Sequence, residues 1–296
     1  MRNIKGSTGL IVFLIIIAIY NILATDLEID KFDQGYRVNF KKDDQILLQS
    51  PHRGLWKIST RWQDRWPSDW KYLHPQKMFR EGDWTILEGK FEIEEGSLKI
   101  RDAYKQVGEQ VKCVRRFEWS GDQSLDNVTL SVDWQTKARN NDVMLPGILY
   151  YGNPSGAKNG KNRVPVFTGK KGQQAIFEEH RFSMPFASLE WEQNGKQYGA
   201  ALHSLPSPLP FANRNDQWWS LGVSSDGEGL SLQLLSGPST YNGKKSVVKA
   251  RQTDYLDYNH AYLNIPPGGI IEKTFYLEIY EVDKNGSGFI PPIKTS

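Results

Sequence analysis

The sequence predicts an all-β protein built as a large antiparallel β-sandwich, and three observations carry that expectation. Segment after segment alternates apolar and polar residues with the two-residue period of a half-buried strand. Gly and Pro, 26 and 15 of the 296 residues, punctuate these segments throughout, as the turns of a many-stranded fold require. No long stretch repeats its apolar residues with helical period. So many short strands exceed an immunoglobulin-sized sandwich.

The chain opens on a segment of a different kind. Arg2 and Lys5 precede the apolar run Leu10–Tyr20, which ends near Ala24 before the acidic stretch beginning at Asp26. A basic start and a run shorter than the roughly 20 residues of a spanning helix describe an export signal cleaved after Ala24. Retention of residues 1–24 as a membrane anchor is the alternative, because Ile22 stands where signal cleavage sites usually carry a small residue. The expected location is outside the cytoplasm: periplasmic, secreted or held by this segment. The sandwich is expected over residues 26–282, with a flexible tail over 283–296.

Strands begin in the alternating segment around Tyr36–Phe40. The stretch Arg61–Trp70 spaces its tryptophans four residues apart, as on a helix face. Pro67 interrupts any such helix, so a short helical turn followed by a loop is expected there. From residue 83 the pattern is plainly β, with a hairpin at Glu95-Gly96 and strands at Val111–Trp119 and Val128–Trp134. Further strands are expected at Ile148–Tyr151, Ala175–Met184, Ser188–Gln193, Tyr198–Ser204, Trp218–Ser224, Leu230–Leu235, Ala261–Ile265 and Glu272–Val282. Cys113, the one cysteine, excludes an intrachain disulfide and reads as a small core residue.

Composition excludes several functions. Net charge is +3, and Arg2 and Lys5 supply two of those charges. No concentrated basic run marks a nucleic-acid partner. The five histidines lack zinc spacing, Gly169–Gly172 lacks the P-loop pattern, and Ser155 falls one position late for a nucleophile elbow. No metal or other cofactor is expected.

The best ligand edge is Met144–Gly156, where an apolar, aromatic strand end runs into a Gly-Asn-Pro-Ser-Gly turn. Tyr150 and Tyr151 would offer flat faces to sugar rings, and Asn153 a directional amide. Three other patches carry candidate groups. Arg181, in Glu178–Pro185, has the fork geometry that grips a carboxylate or hydroxyls, though pairing with Glu179 on the same strand face is an equally simple reading. Arg214 and Trp218 lie in a proline-rich stretch, 202–219, whose composition implies a long ordered loop. Asp254 and Asp257 form an acidic, tyrosine-rich patch, and paired carboxylates are what glycoside hydrolysis needs. Their spacing alone does not set the required separation, and solvated turn residues explain them as well.

Several segments resemble the N-terminal β-supersandwich of bacterial glycosidases and polysaccharide-processing enzymes, a galactose-mutarotase-like fold. They are Val114–Trp119, Val128–Ser131, Leu145–Asn153, Arg181–Pro185, Ile265–Leu277 and the closing Gly286–Pro292. In those enzymes an (α/α)6 toroid follows and carries the catalytic acids. The resemblance therefore implies a carbohydrate-associated module that binds a glycan or supports a separately encoded toroid, with no catalytic residue carried over. A glycan-acting hydrolase or lyase using Glu178, Glu179, Asp254 or Asp257, and a structural docking subunit, are the alternatives.

Overall fold

Antiparallel pairing organises nearly everything in the computed structural model, which describes residues 25–64, 66–94, 96–136, 142–148, 167–209, 214–217, 219–241, 244–247 and 263–282. An opening meander comprises β1 (Asp26–Phe32), β2 (Gly35–Lys42) and β3 (Gln45–Gln49). Four short strands follow: β4 (Trp56–Ser59), β5 (Arg61–Gln63), β6 (Trp66–Ser68) and β7 (Lys71–Leu73). The long hairpins are β8 (Lys77–Glu81), β9 (Trp84–Ile93), β10 (Gly96–Val107), β11 (Gln110–Gly121) and β12 (Leu125–Thr136). Then come β13 (Asp142–Met144), β14 (Gln174–Glu178), a 3-10 turn at Glu179–Arg181, β15 (Phe186–Gln193) and β16 (Lys196–Ser204). The chain continues through β17 (Ser207–Leu209), β18 (Arg214–Gln217), β19 (Ser220–Ser225), β20 (Leu230–Leu235), β21 (Pro238–Tyr241) and β22 (Lys244–Val247). It closes with β23 (Leu263–Ile265) and β24 (Ile270–Glu281).

These strands form a β-sandwich, as the alternation predicts. One sheet has 12 strands, running β1-β2-β3-β12-β20-β19-β14-β21-β22 with β4, β7 and β23 attached around β12. The other has 8, in the order β13-β15-β16-β24-β11-β10-β9-β8. In β24 the buried residues Ile271, Lys273, Phe275, Leu277 and Ile279 point inward, while Glu272, Thr274, Tyr276, Glu278 and Tyr280 take the other face. That is the period-two pattern made visible. Trp56, Trp119, Trp134 and Trp219 are fully buried; each hides roughly 150–250 Å², on the order of 4–6 kcal/mol of gross hydrophobic stabilisation. Cys113 is buried among them, as expected of a small core residue.

The sandwich has two ends. At the upper end lie the β9–β10 and β11–β12 turns, the start of β24, and the 3-10 turn that carries the chain from β14 into β15. At the lower end lie the β2–β3, β10–β11 and β15–β16 turns and the end of β24.

Two local expectations are corrected. Arg61–Trp70 contains no helical turn: β5 and β6 pair as a tight hairpin with Trp62 opposite Pro67. Asp64 supplies the left-handed turn (φ 50°), and Pro67, lacking an N–H, is tolerated because the hairpin is a small separate ladder. The tryptophans there are half-buried, with Trp62 donating to the Asn127 carbonyl and Lys57 lying over Trp70. The strand expected over Ala175–Met184 stops at Glu178, where the chain must leave one sheet for the other.

Candidate functional site

The upper end brings together patches that are far apart in sequence. Leu145–Ile148 forms a turn in which Gly147 adopts φ 82° and packs against Ser183, whose N–H donates to the Pro146 carbonyl at 3.2 Å. The entry to the predicted ligand edge therefore sits against the Phe182-Ser183 segment. Tyr150, Tyr151 and Asn153 follow immediately but lie outside the described residues, as do Trp218, Asp254 and Asp257. Arg214 lies in β18, its backbone paired with Leu209.

Arg181 is exposed, and its partner is a different acid from the one expected. In a strand, residues 179 and 181 would share a face; in a 3-10 turn, residues three apart meet instead. Arg181 Nε accordingly reaches Glu178 at 2.6 Å. Glu179 is turned inward to the buried Lys273, whose Nζ lies 2.6 Å from its carboxylate and 2.7 Å from the Leu205 carbonyl. Ser204 Oγ and the Trp219 backbone N–H also donate to Glu179. Lys273 sits 5.3 Å from the centroid of the Trp219 ring. Burial lowers the Lys273 pKa, and the Glu179 charge opposes that shift. Both glutamates offered by the sequence as catalytic acids are thus held in ion pairs. Glu179 acts as a knot tying together the 3-10 turn, the end of β16, the start of β24 and the chain at Trp219.

That knot holds the end of β16 one residue beyond His203, on the opposite face of the strand. His203 points away from the core on the outer face of the eight-stranded sheet, yet it is buried. Its Nε2 lies 3.7 Å from the carboxylate of Glu278 on β24. Neither ring nitrogen has a hydrogen-bond partner among the described residues. Glu278 is itself buried and accepts a bond from Gln110 Nε2 at 2.8 Å. Phe186 stacks at a tilt on the His203 ring, 5.2 Å between centroids.

One row further down, the Tyr280 hydroxyl donates to Glu190 at 3.2 Å. The Tyr280 ring lies across Gly199, where any Cβ would overlap it. Burial raises the Glu190 carboxyl above its usual range; the Tyr280 bond lowers it and the Asp142 charge raises it further. Burial likewise holds the Tyr280 phenol well above its ordinary value. An imidazole, two carboxylates, an amide, a phenol and aromatic rings therefore share one sheet face. Such a floor can accept and donate hydrogen bonds to hydroxyls.

Sequence reasoning missed this face because His203 and Glu278 stand on β16 and β24, strands that are not neighbours in sequence. The available signal was a run of polar residues on the face of β24 opposite its apolar stripe. Among the described residues no cluster of His, Cys, Asp and Glu has the geometry of a metal site.

No family model matches the chain, and no curated protein matches it in sequence. Among solved structures, the chain is similar to the Slr1438 protein of Synechocystis sp. PCC 6803, with 11% identity over 86% of this chain and 96% of that one, at TM-score 0.48. It is also similar to a galactose mutarotase-like protein from Lactobacillus casei, with 8% identity over 86% and 100% of the two chains at TM-score 0.45. A polysaccharide lyase shares 10% identity over 90% of this chain and 33% of its own, at TM-score 0.37. At these values the likeness of backbone path is loose.

Proposed function

We propose that the chain is an exported, carbohydrate-associated β-sandwich that binds a glycan on the outer face of its eight-stranded sheet and at the adjoining upper end. The observation that carries this reading is His203. Its imidazole is buried on an outward strand face, 3.7 Å from Glu278, with neither nitrogen hydrogen-bonded among the described residues. Buried polar atoms left unmatched cost about 1–3 kcal/mol each, so a hydroxyl-bearing ligand that satisfies them gains that much in affinity. The half-buried Tyr276 and Tyr280 supply apolar faces, and Arg181 extends the surface with guanidinium donors left over from its pair with Glu178.

The test is a glycan array and affinity gels with the purified chain, followed by Glu278→Gln, His203→Ala and Arg181→Ala. Retention on a glycan, weakened at least tenfold by the first two variants while the unfolding midpoint holds, is the expected result. A folded chain retained by no glycan sinks the reading. The support of a separately encoded (α/α)6 toroid is the finer reading that the family resemblance implies, and co-purification with such a partner tests it.

The His203–Glu278 pair favours a second reading, acid–base chemistry on the bound sugar, over hydrolysis by Glu178 or Glu179. Turnover of a bound sugar that Glu278→Gln abolishes without abolishing binding would support it.

A further inference from the structure

We propose that the glycan of this sheet face is an anionic one, a uronate- or sulfate-bearing sugar chain laid across the strands, and that Lys105 and Lys112 hold its charge. The inference rests on the glycan reading of the outer face and adds the chemical class of the ligand to it. It begins with register. Lys105 on β10 stands directly opposite Lys112 on β11, Lys112 opposite Tyr276 on β24, and Tyr276 opposite His203 on β16. Directly opposed residues share a sheet face, so these four side chains form one row across the outer face. Trp84 on β9 opens the row: Lys105 Nζ and Lys112 Nζ lie 5.8 and 5.9 Å from its ring centroid. Lys112 Nζ is also 5.9 Å from the centroid of the Tyr276 ring. From Trp84 to His203 the row crosses four strand spacings, roughly 19 Å.

Like charges directly opposite one another destabilise a sheet, and this pair is poorly relieved. Lys105 Nζ reaches Asp83 at 3.1 Å, but that carboxylate is 81% exposed, and such a surface pair contributes little. Among the described residues no carboxylate lies within ion-pair distance of Lys112. The adjacent row on one side, Phe79, Ile86, Ala103, Val114 and Thr274, carries no charge. On the other side Gln110 bonds the carboxylate of Glu278, which lies toward His203. Two half-buried ammonium groups, set over aromatic rings and short of counter-charge, are a seat for an anion. One carboxylate or sulfate between them relieves the repulsion and accepts a charge-assisted hydrogen bond from each. Trp84 and Tyr276 then offer apolar ring faces to the sugar that carries the charge. A neutral chain would leave the two lysines opposed, and the length of the row suits a chain rather than a single sugar.

The experiment uses the full chain in affinity electrophoresis against polymers that differ only in charge: polygalacturonate and its methyl ester, dextran sulfate and dextran. Poly-glutamate serves as a polyanion that is not a sugar. At least one acidic glycan is expected to retain the chain tenfold more strongly than its neutral counterpart, with retention falling as salt is raised. The two acidic arms tell carboxylate from sulfate. Lys105→Gln and Lys112→Gln are each expected to weaken that retention at least fivefold and to flatten its salt dependence, while the unfolding midpoint holds or rises. Lys90→Gln, an exposed lysine paired with Glu92, is expected to leave it unchanged. Retention by the neutral polymers alone, or retention unaffected by the two row lysines, overturns the proposal and leaves the glycan reading standing. So does an equal loss in Lys90→Gln, which would make the effect one of net charge. Retention by poly-glutamate as strong as by the acidic glycans overturns the assignment of a sugar chain. A folded chain retained by no glycan of either kind overturns both readings together.

Discussion

Asp102 and Arg115 stand directly opposite one another on β10 and β11 and close a two-pronged ion pair in which neither side chain is exposed. Arg115 Nε and Nη2 reach the two carboxylate oxygens at 2.8 and 2.7 Å, and its Nη1 donates to the Ser131 carbonyl on the facing sheet. Trp56 Nε1 and the Tyr104 hydroxyl complete the carboxylate's partners. Two charges taken out of water are tolerable because their hydrogen-bonding capacity is met so fully.

Removing one partner leaves the other charged, buried and alone. Asp102→Ala is therefore expected to lower unfolding free energy by about 3–5 kcal/mol, seen as a fall in the urea midpoint with an unchanged slope. A loss below about 1 kcal/mol would show that water reaches the pair.

The Lys273–Glu179 pair makes a separate prediction at the upper end. Lys273→Met strands a carboxylate that is only 10% exposed, so a loss of about 3–5 kcal/mol is expected. Adding Glu179→Gln recovers part of it, and a double-mutant cycle is expected to give a coupling of at least 1 kcal/mol. Additive losses would mean that the two groups do not sense each other.

Glu190 gives a pH dependence whose sign is determined. Burial raises its folded pKa, so the folded state favours the protonated form. The stabilisation this confers is present at low pH and is lost as pH rises through the raised value. Glu190→Gln keeps an acceptor for Tyr280 and removes the charge. Its melting temperature is expected to exceed that of the parent at pH 7, with the difference vanishing below about pH 4. A difference independent of pH would rule out this origin.

Cys113 is buried at 0% exposure, and burial pushes its thiol well above the usual range. Maleimide at pH 8 is expected to leave the native chain unmodified and to label it fully in urea. Rapid labelling of the native chain would mean that the β10–β11 region opens without global unfolding.

The sheet face holding Tyr280 depends on a missing side chain. Gly199→Ala places a Cβ in the Tyr280 ring, so the ring must swing out and its bond to Glu190 must break. Glycan affinity is expected to fall at least fivefold, and an unchanged affinity would place the ligand away from this face.

The hairpins were legible because their alternation is local. Glu95-Gly96 and the β11–β12 turn need only neighbours in sequence to be recognised, and they form where expected. Arg61–Trp70 misled because a four-residue tryptophan spacing mimics a helix, whereas the hairpin's register with Pro67 decides the matter. Arg181 was legible as an exposed cation, but its partner was not. Whether residue 178 or 179 faces it depends on the chain crossing between sheets at that point, a tertiary demand. The His203–Glu278 juxtaposition was illegible for the same reason, since it arises only when β16 pairs with β24.

The position of β24 has a consequence for how the molecule comes into being. The last of the described strands lies in the interior of its sheet, between β16 and β11, and Thr25 beside the first of them is fastened to it across 254 residues. Contacts of such separation form slowly. Until residue 281 has emerged from the ribosome, β11 and β16 have no partner between them, and those edges are bare. The nascent chain thus has no finished eight-stranded sheet until β24 has been made.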